Sequence, residues 1–374
     1  MKIPFNVPCC TGKEASYIKE AFDNQQFSGD GYFTKRVSRE LESIFTAPKV
    51  LLTHSCTAAL EMCAILLDLR PGDEIIMPSY TFVSTANAFV LRGAIPVFVD
   101  IDPFTQNINT DCIEQAITPK TKAIVAVHYA GISCDLVKLR QLADSYDLPL
   151  IEDAAQAIFA SSHSKPLGSF GDLATVSFHE TKNISCGEGG CLILNNTSFI
   201  ERAEIIREKG TNRTLFFRGK VNKYNWVDIG SSYLPGEISA AFLCAQLENG
   251  KDITSKRLDI WHEYLKFFDS CPDVKGFKVM KVPTYSLHNA HMFYIISPDP
   301  VHRQKLIDHM RSHSISCVFH YVPLHSSPAG KEYATFVGDM HNTDRAGSCL
   351  LRLPLYPSLD ISYTLESLKP FFTN

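Results

Sequence analysis

Residues 122–155 read KAIVAVHYAGISCDLVKLRQLADSYDLPLIEDAA. The run 122–128 is a short apolar strand that ends in His128. Residues 135–147 form an amphipathic helical run, and 148–155 return to an apolar strand that ends in Glu152 and Asp153. Strand, helix and strand in that order make a parallel pair joined by a crossover.

The same alternation extends both ways. Upstream, 49–53 (KVLLT) reads as a strand, 57–69 as a helix, 71–78 as a turn and strand, 81–93 as a helix stopped by glycine, and 95–102 as a strand. Downstream, 173–179 and 190–195 read as two more strands. Near-continuous Val/Ile/Leu strands between amphipathic helices predict an α/β fold, with a mainly parallel sheet covered on both faces. Right-handed crossovers then gather the strand C-terminal ends on one edge, where ligands bind. After about residue 250 the texture changes. A long helical run (KDITSKRLDIWHEYLKFFDS) leads to a strand at 290–297, a helix near 301–313, the segment 315–324 and a terminal helix near 361–372. The expected division is a large unit at 1–250 and a smaller α+β unit at 251–374. No low-complexity linker and no solenoid-period repeat interrupts it.

The 374 residues are 45% hydrophobic and 20% charged, an ordinary globular balance. A net charge of −4 without a long basic run argues against nucleic-acid binding. The start, MKIPFNVPCC, lacks a signal-peptide core, and no apolar run reaches the ~20 residues of a membrane helix. The twelve cysteines include no C-x-x-C pair and no zinc-ligand spacing. They read as reduced, mostly buried thiols in a cytoplasmic protein without a metal site.

Three places carry chemistry. In THSCTAAL (53–60), Ser55, Cys56 and Thr57 stand at a helix N-terminus, where free N–H groups and the dipole form a phosphate cup or a plain N-cap. In IEDAAQA (151–157), one of Glu152 and Asp153 faces the ligand edge. That carboxylate could pair with a protonated heterocyclic nitrogen, with Gln156 beside it. In SFHETKN (177–183), Ser177 ends a strand and Lys182 follows five residues later. A partly buried lysine shifts its pKa readily and forms Schiff bases. A phosphate cup, the aromatic segment PSYTFVSTAN (78–87), a strand-end acid and a lysine before GEGG are the parts that pyridoxal 5′-phosphate (PLP) requires. His128 and His179 stand at strand ends as proton shuttles or as satisfied histidines. GDGYFT (29–34) and DIDP (100–103) read as turns. The segment 210–226, GTNRTLFFRGKVNKYNW, is long for a connection and mixes aromatics with basic residues, as interface anchors do.

These residues, with IPFNVP, HSCTAALE, VHYAG, EDAAQ, GEGG and FHYVPLH, resemble the fold type I, PLP-dependent sugar-nucleotide aminotransferases of the DegT/StrS type almost end to end. The fold implied is a seven-stranded-type large domain plus a smaller C-terminal domain. The resemblance makes Lys182 the cofactor's Schiff-base lysine and Asp153 the partner of the pyridinium nitrogen. Gln156 and Phe82 then lie against the ring, and Cys56, Thr57 and Ser177 hold the phosphate. Many relatives carry Gly where Cys56 stands. Asn225 matches an asparagine that reaches the neighbouring subunit's phosphate, which implies a homodimer with shared sites. His320 and Tyr321 are expected in the sugar pocket, and Arg213, Arg218 and Lys220 near the diphosphate. GDGYFT is expected to act as a substrate lid. The implied reaction is a ping-pong transfer from L-glutamate to a keto-sugar nucleotide.

The segments 79–94, 202–213 and 228–233 narrow the resemblance to members that aminate dTDP-4-keto-6-deoxyglucose to the 4-amino-4,6-dideoxygalactose product, for surface polysaccharide. A gluco epimer, a 3-keto substrate or a non-catalytic PLP-binding regulator would keep the same cofactor residues. The family's dehydratases carry histidine in place of Lys182.

Overall fold

The computed structural model describes residues 2–271 and 274–373. Seven strands follow the expected order: β1 Lys49–Thr53, β2 Glu74–Pro78, β3 Ile95–Val99, β4 Thr121–Val127, β5 Leu150–Asp153, β6 Leu173–Ser177 and β7 Gly190–Leu194. The C-terminal part adds β8 Lys278–Val279, β9 Phe293–Ile296, β10 Thr335–Phe336 and β11 Leu350–Leu353. The large sheet runs β1-β7-β6-β5-β4-β2-β3-β10. All its pairs are parallel except those that β7 makes with β1 and β6. The mainly parallel seven-stranded sheet is therefore present, extended at one edge by β10.

The helices that cover it are α1 Glu14–Asp23, α2 Tyr32–Phe45, α3 Cys56–Leu66, α4 Val83–Val90, α5 Leu136–Ser145, α6 Ile200–Arg207, α7 Arg213–Phe217 and α8 Glu237–Glu248. Strand residues alternate between two cores. Leu51, Met77, Val125, Ile151 and Leu192 pack on the face of α3 and α6. Leu52, Ile76, Ile124, Leu150 and Ile193 pack on the face of α2, α5 and α8. This is the period of two expected of a strand buried on both sides.

The expected long helix is α9 Gly250–Ser270, and α10 spans Pro300–Ser312. With the terminal helix Ile361–Thr373 they cover the small sheet β8-β9-β11, and Trp261, Tyr264, Phe268, Leu306, Met310 and Leu368 form its core. Most of the segment 315–324 is irregular. The chain crosses residue 250 in both directions. β10 pairs with β3 in the large sheet, and Ile3 bridges Ile315 in the small unit. GDGYFT leads into α2, whose Gly31 N-cap offers no side chain. Glu237 of α8 does that work, accepting from the backbone N–H groups of Gly31, Phe33 and Thr34. GDGYFT is thus a capped helix start here and does not line the large cavity described below. Among the described residues, no helix is long and apolar enough to cross a membrane, and no His/Cys/Asp/Glu group could hold a metal ion. All twelve cysteines are free.

Candidate active site

A cavity of about 690 Å³ opens at the C-terminal edge of the large sheet. Its lining includes Cys56, Thr57, Phe82, Asp153, Gln156, Ser177, Lys182, His320 and Tyr321. Strand register brings the sequence-distant parts together. Gly190 stands opposite both Thr53 and Ser177, because β7 lies antiparallel between β1 and β6. A Cβ on Gly190 would sit 2.4 Å from the Cys56 nitrogen, so only glycine lets β7 approach the start of α3 this closely.

At that start, Ser55 caps the helix through Ala58 N–H at 3.1 Å. The N–H groups of Cys56 and Thr57 donate to no protein acceptor among the described residues, and the Ser177 hydroxyl also stands at this end of the cavity. Thr57 Oγ1 lies 2.8 Å from Ser84 Oγ. Free donors at a helix N-terminus make an anion cup of the size of a phosphate. Burial first, and then the nearby Asp153 charge, push the Cys56 thiol up to about 12. The side chain is therefore a neutral thiol, and its backbone N–H is what it offers an anion.

The two strand-end acids face opposite ways, as period-two geometry requires. Glu152 is 0% exposed and accepts from His128 Nε2 (2.9 Å) and from the amides of Gly168 (2.9 Å), Phe170 (2.6 Å) and Gly171 (2.6 Å). Burial raises its pKa, but these donors outweigh burial and the net shift is downward. Cys134 N–H points at His128 Nδ1 (3.3 Å), so the ring proton sits on Nε2. His128 is a satisfied histidine. Asp153 faces the cavity. Its Oδ2 accepts from Thr85 Oγ1 (2.7 Å) and its Oδ1 from Ala155 N–H (3.1 Å). Burial raises its pKa against those two donors and the Lys182 charge.

Lys182 lies in the β6–β7 loop, pinned by its own N–H to His179 O at 2.9 Å. Among the described residues its ammonium makes no hydrogen bond and no ion pair within 4 Å. Burial lowers its pKa, with Asp153 opposing. The next residue anchors the loop: Asn183 donates to Asn289 O (2.8 Å) and meets His291 Nδ1 (2.9 Å). His179 is partly exposed, with Glu188 3.6 Å away at the cavity edge.

The far wall is aromatic. Phe82 is 56% exposed, and its ring centroid lies 6.3 Å from that of Tyr321. Tyr321 accepts from Gln156 Nε2 at 2.9 Å and stacks on His320 at 3.6 Å. His320 Nδ1 lies 2.7 Å from the Tyr129 hydroxyl, and burial lowers its pKa well below the ordinary value. The C-terminal unit also supplies Arg257, His291 and Arg352, and the N-terminal segment supplies Phe5 and Asn6. Sequence reading gave these five no role. Arg352 in LLRLPL did carry a signal, since one charge in an otherwise buried apolar strand needs a reason. Thr85, in the segment 78–87, bonds Asp153 across the sheet edge, a pairing that its local sequence does not signal.

Four expected residues lie outside the cavity of their own chain. Asn225 is exposed, and its backbone N–H donates to Asn212 Oδ1 at 2.7 Å. Arg218 makes a two-pronged bond to Glu204 (2.7 and 2.7 Å), Arg213 stands 3.6 Å from Glu208, and Lys220 is exposed beside them.

The donor set fits PLP. The open amides of α3 and Ser177 suit the phosphate, Asp153 a protonated ring nitrogen, Phe82 and Gln156 the ring, and an unpaired lysine the aldehyde. The model of the DegT/DnrJ/EryC1/StrS aminotransferase family matches residues 8–364. The chain is 31% identical to GDP-perosamine synthase of Escherichia coli O157:H7, over 100% of this chain and 99% of that one. It is 30% identical to the spore coat polysaccharide biosynthesis protein SpsC of Bacillus subtilis, over 98% and 96%. Spr1654 of Streptococcus pneumoniae, solved in its PLP-form, superposes with a TM-score of 0.89 at 25% identity, over 100% and 98% of the two chains.

Proposed function

The chain belongs to the DegT/DnrJ/EryC1/StrS aminotransferase family, and on that premise we propose that it aminates C4 of dTDP-4-keto-6-deoxyglucose with L-glutamate as donor, giving dTDP-4-amino-4,6-dideoxygalactose. That it is a PLP-dependent sugar aminotransferase follows from the family and its relatives. The identity of the sugar rests on the segments 79–94, 202–213 and 228–233, which resemble dTDP-4-amino-4,6-dideoxygalactose transaminase. They support the reading because they converge beside the phosphate cup. Lys209 N–H donates to Ser231 O (3.0 Å), His54 N–H donates to Tyr233 O (2.9 Å), and Ser84 and Thr85 line the cavity.

PLP, when bound, supplies the electron sink for a carbanion next to the reacting nitrogen. The chain does the rest. Asp153 would keep the ring nitrogen protonated, Phe82 would lie against the ring, and the α3 amides with Ser177 would hold the phosphate. Lys182 Nζ takes a proton from the donor Cα and later delivers one to the sugar carbon. Its lowered pKa favours the neutral amine that accepts a proton. The deciding test supplies L-glutamate with either dTDP-4-keto-6-deoxyglucose or its GDP-linked counterpart, followed by NMR of the product. Turnover of the dTDP sugar to an axial C4 amine is expected. Turnover of the GDP sugar alone, a reading favoured by the likeness to GDP-perosamine synthase, would replace the dTDP assignment. An equatorial amine would mark the gluco epimer.

The assembly that goes with this reading is a homodimer in which Asn225 enters the partner's site. Its support is the exposed apolar surface at 216–227, where Phe217 is 69%, Tyr224 53% and Trp226 80% exposed. Mixing an inactive Lys182→Ala chain with an inactive Asn225→Ala chain should restore activity, since one site of the heterodimer collects neither defect. No recovery after verified subunit exchange would end the shared-site reading and leave the chemistry standing.

A further inference from the structure

Asp153 is 5% exposed, and burial favours its neutral form. Only the anion can pair with a protonated ring nitrogen, so something in the fold must oppose burial. The strongest opposing group is the Thr85 hydroxyl, ahead of the Ala155 N–H, Lys182 and His128. The other groups are committed elsewhere or carry no charge. Lys182 is taken up by the cofactor aldehyde, and His128 is paired with Glu152. Cys56 and Cys63 of α3 and Tyr321 of the aromatic wall also feel the Asp153 charge, and burial keeps all three neutral.

The hydroxyl that does this work has a partner of its own. Thr85 Oγ1 stands 2.7 Å from Asp153 Oδ2 and 2.8 Å from Thr81 Oγ1. A threonine hydroxyl has one proton to give, and an ionised carboxylate only accepts. The Thr85 proton therefore goes to Asp153, and Thr81 must donate its own proton to Thr85. The charge at one end fixes the direction of the chain, and each donor polarises the next. Thr81 and Thr85 are 2% and 1% exposed.

The backbone holds the chain in place. Thr85 lies in the first turn of α4, its N–H bound to Phe82 O at 3.1 Å, so one turn carries both hydroxyls and the Phe82 ring. On the other side, His128 N–H donates to Asp153 O (3.1 Å) and Ala154 N–H to Thr175 O (2.9 Å), which pins the end of β5. The side chain then takes one donor on each oxygen, Ala155 N–H on Oδ1 and Thr85 on Oδ2. Two donors set the plane of the carboxylate and leave an acceptor position free on each oxygen.

We propose that Thr85, oriented by Thr81, is a positioning residue that holds Asp153 as an anion turned toward the cofactor's ring nitrogen. The inference rests on PLP dependence and is independent of which sugar nucleotide is used. The test is a cycle of PLP affinities, measured by titrating apoprotein and following the cofactor absorbance. Thr85→Val, which keeps the shape and loses the hydroxyl, should raise the Kd for PLP about 10-fold. In an Asp153→Ala background the same substitution should change it by less than about 3-fold, because the group through which Thr85 acts is gone. Thr85→Ser should bring the Kd back to within about 3-fold of wild type, and Thr81→Val should fall between.

A second readout needs no cofactor. Loss of a donor to the ionised carboxylate raises its pKa further. The stability that neutral Asp153 contributes is lost as pH rises through the folded pKa, so in Thr85→Val the loss should extend about one pH unit higher. It is read from the stability difference between each apoprotein and its Asp153→Asn derivative. The proposal is overturned if Thr85→Val weakens PLP equally with and without Asp153, which would leave Thr85 a packing role only. It is also overturned if Thr85→Ser is no better than Thr85→Val, or if the pH range does not move. Should Thr85→Val not fold, Thr85→Ala enters the same cycle.

Discussion

On one side of β5, Glu152 fills its lone pairs with His128 and three backbone amides, and nothing polar is left over. On the other side, among the described residues, Asp153 has two donors, Lys182 has no partner, the first α3 amides have no acceptor and Arg352 Nε is orphaned. The two regions are one residue apart in the chain and share one sheet. Burial acts on both carboxyls in the same direction, and the number of donors decides the sign: down for Glu152, up for Asp153. A buried polar group that is fully paired holds the fold together. One left underpaired stores an interaction for a ligand, at some cost to stability.

Lys182→Ala should break the underpaired side most severely. Turnover is expected to fall by about 10⁴-fold or more while PLP is still retained through the phosphate cup and Asp153, read by steady-state assay and by absorbance. A normal rate would show that the unpaired lysine is not the proton carrier.

Asp153→Asn follows, with turnover down about 10³-fold as the ring nitrogen loses its anion. The apoprotein should not suffer. A carboxyl whose folded pKa is raised favours the fold while protonated, and that contribution is lost as pH rises through the folded pKa. At pH 7 the neutral Asn removes a penalty, so the variant should melt at or above the wild type. Clear destabilisation of apo Asp153→Asn would contradict the contrast between the two sides.

Glu152→Gln should give the opposite pattern: turnover within about 3-fold of wild type at low temperature, but a loss of about 2–4 kcal/mol in unfolding free energy. Its folded pKa is lowered, so its contribution is present above the ordinary carboxylate range and lost as pH falls through the folded pKa. The stability gap between wild type and variant should therefore close on acidification below about pH 4. A gap that persists there would assign the destabilisation to packing. The smallest effect is expected at the cup, where Ser177→Ala should weaken PLP about 10-fold with the melting curve of the apoprotein unchanged.

Much of this was legible without coordinates. The apolar runs at 49–53, 122–128, 148–155, 173–179 and 190–195 became strands within a few residues of their expected ends. Local hydrophobic patterning sets strand and helix, and right-handed crossovers set the common edge. From these follows the clustering of Thr57, Asp153, Ser177 and Lys182 around one cavity. What patterning could not fix is facing and long-range company. Whether Glu152 or Asp153 meets the cavity depends on one residue of strand rotation, and the run of letters is apolar on both faces. Gly31 looks like part of a glycine turn, because the carboxylate that makes it a helix cap arrives from Glu237 in α8. Arg352, Arg257 and His291 read as scattered charges until the small unit folds back against the sheet edge. The sequence determined the elements and their order, because those depend on neighbours three or four residues away. Tertiary structure decided which polar groups are paired and which are left for a ligand, because that depends on partners brought together from far along the chain.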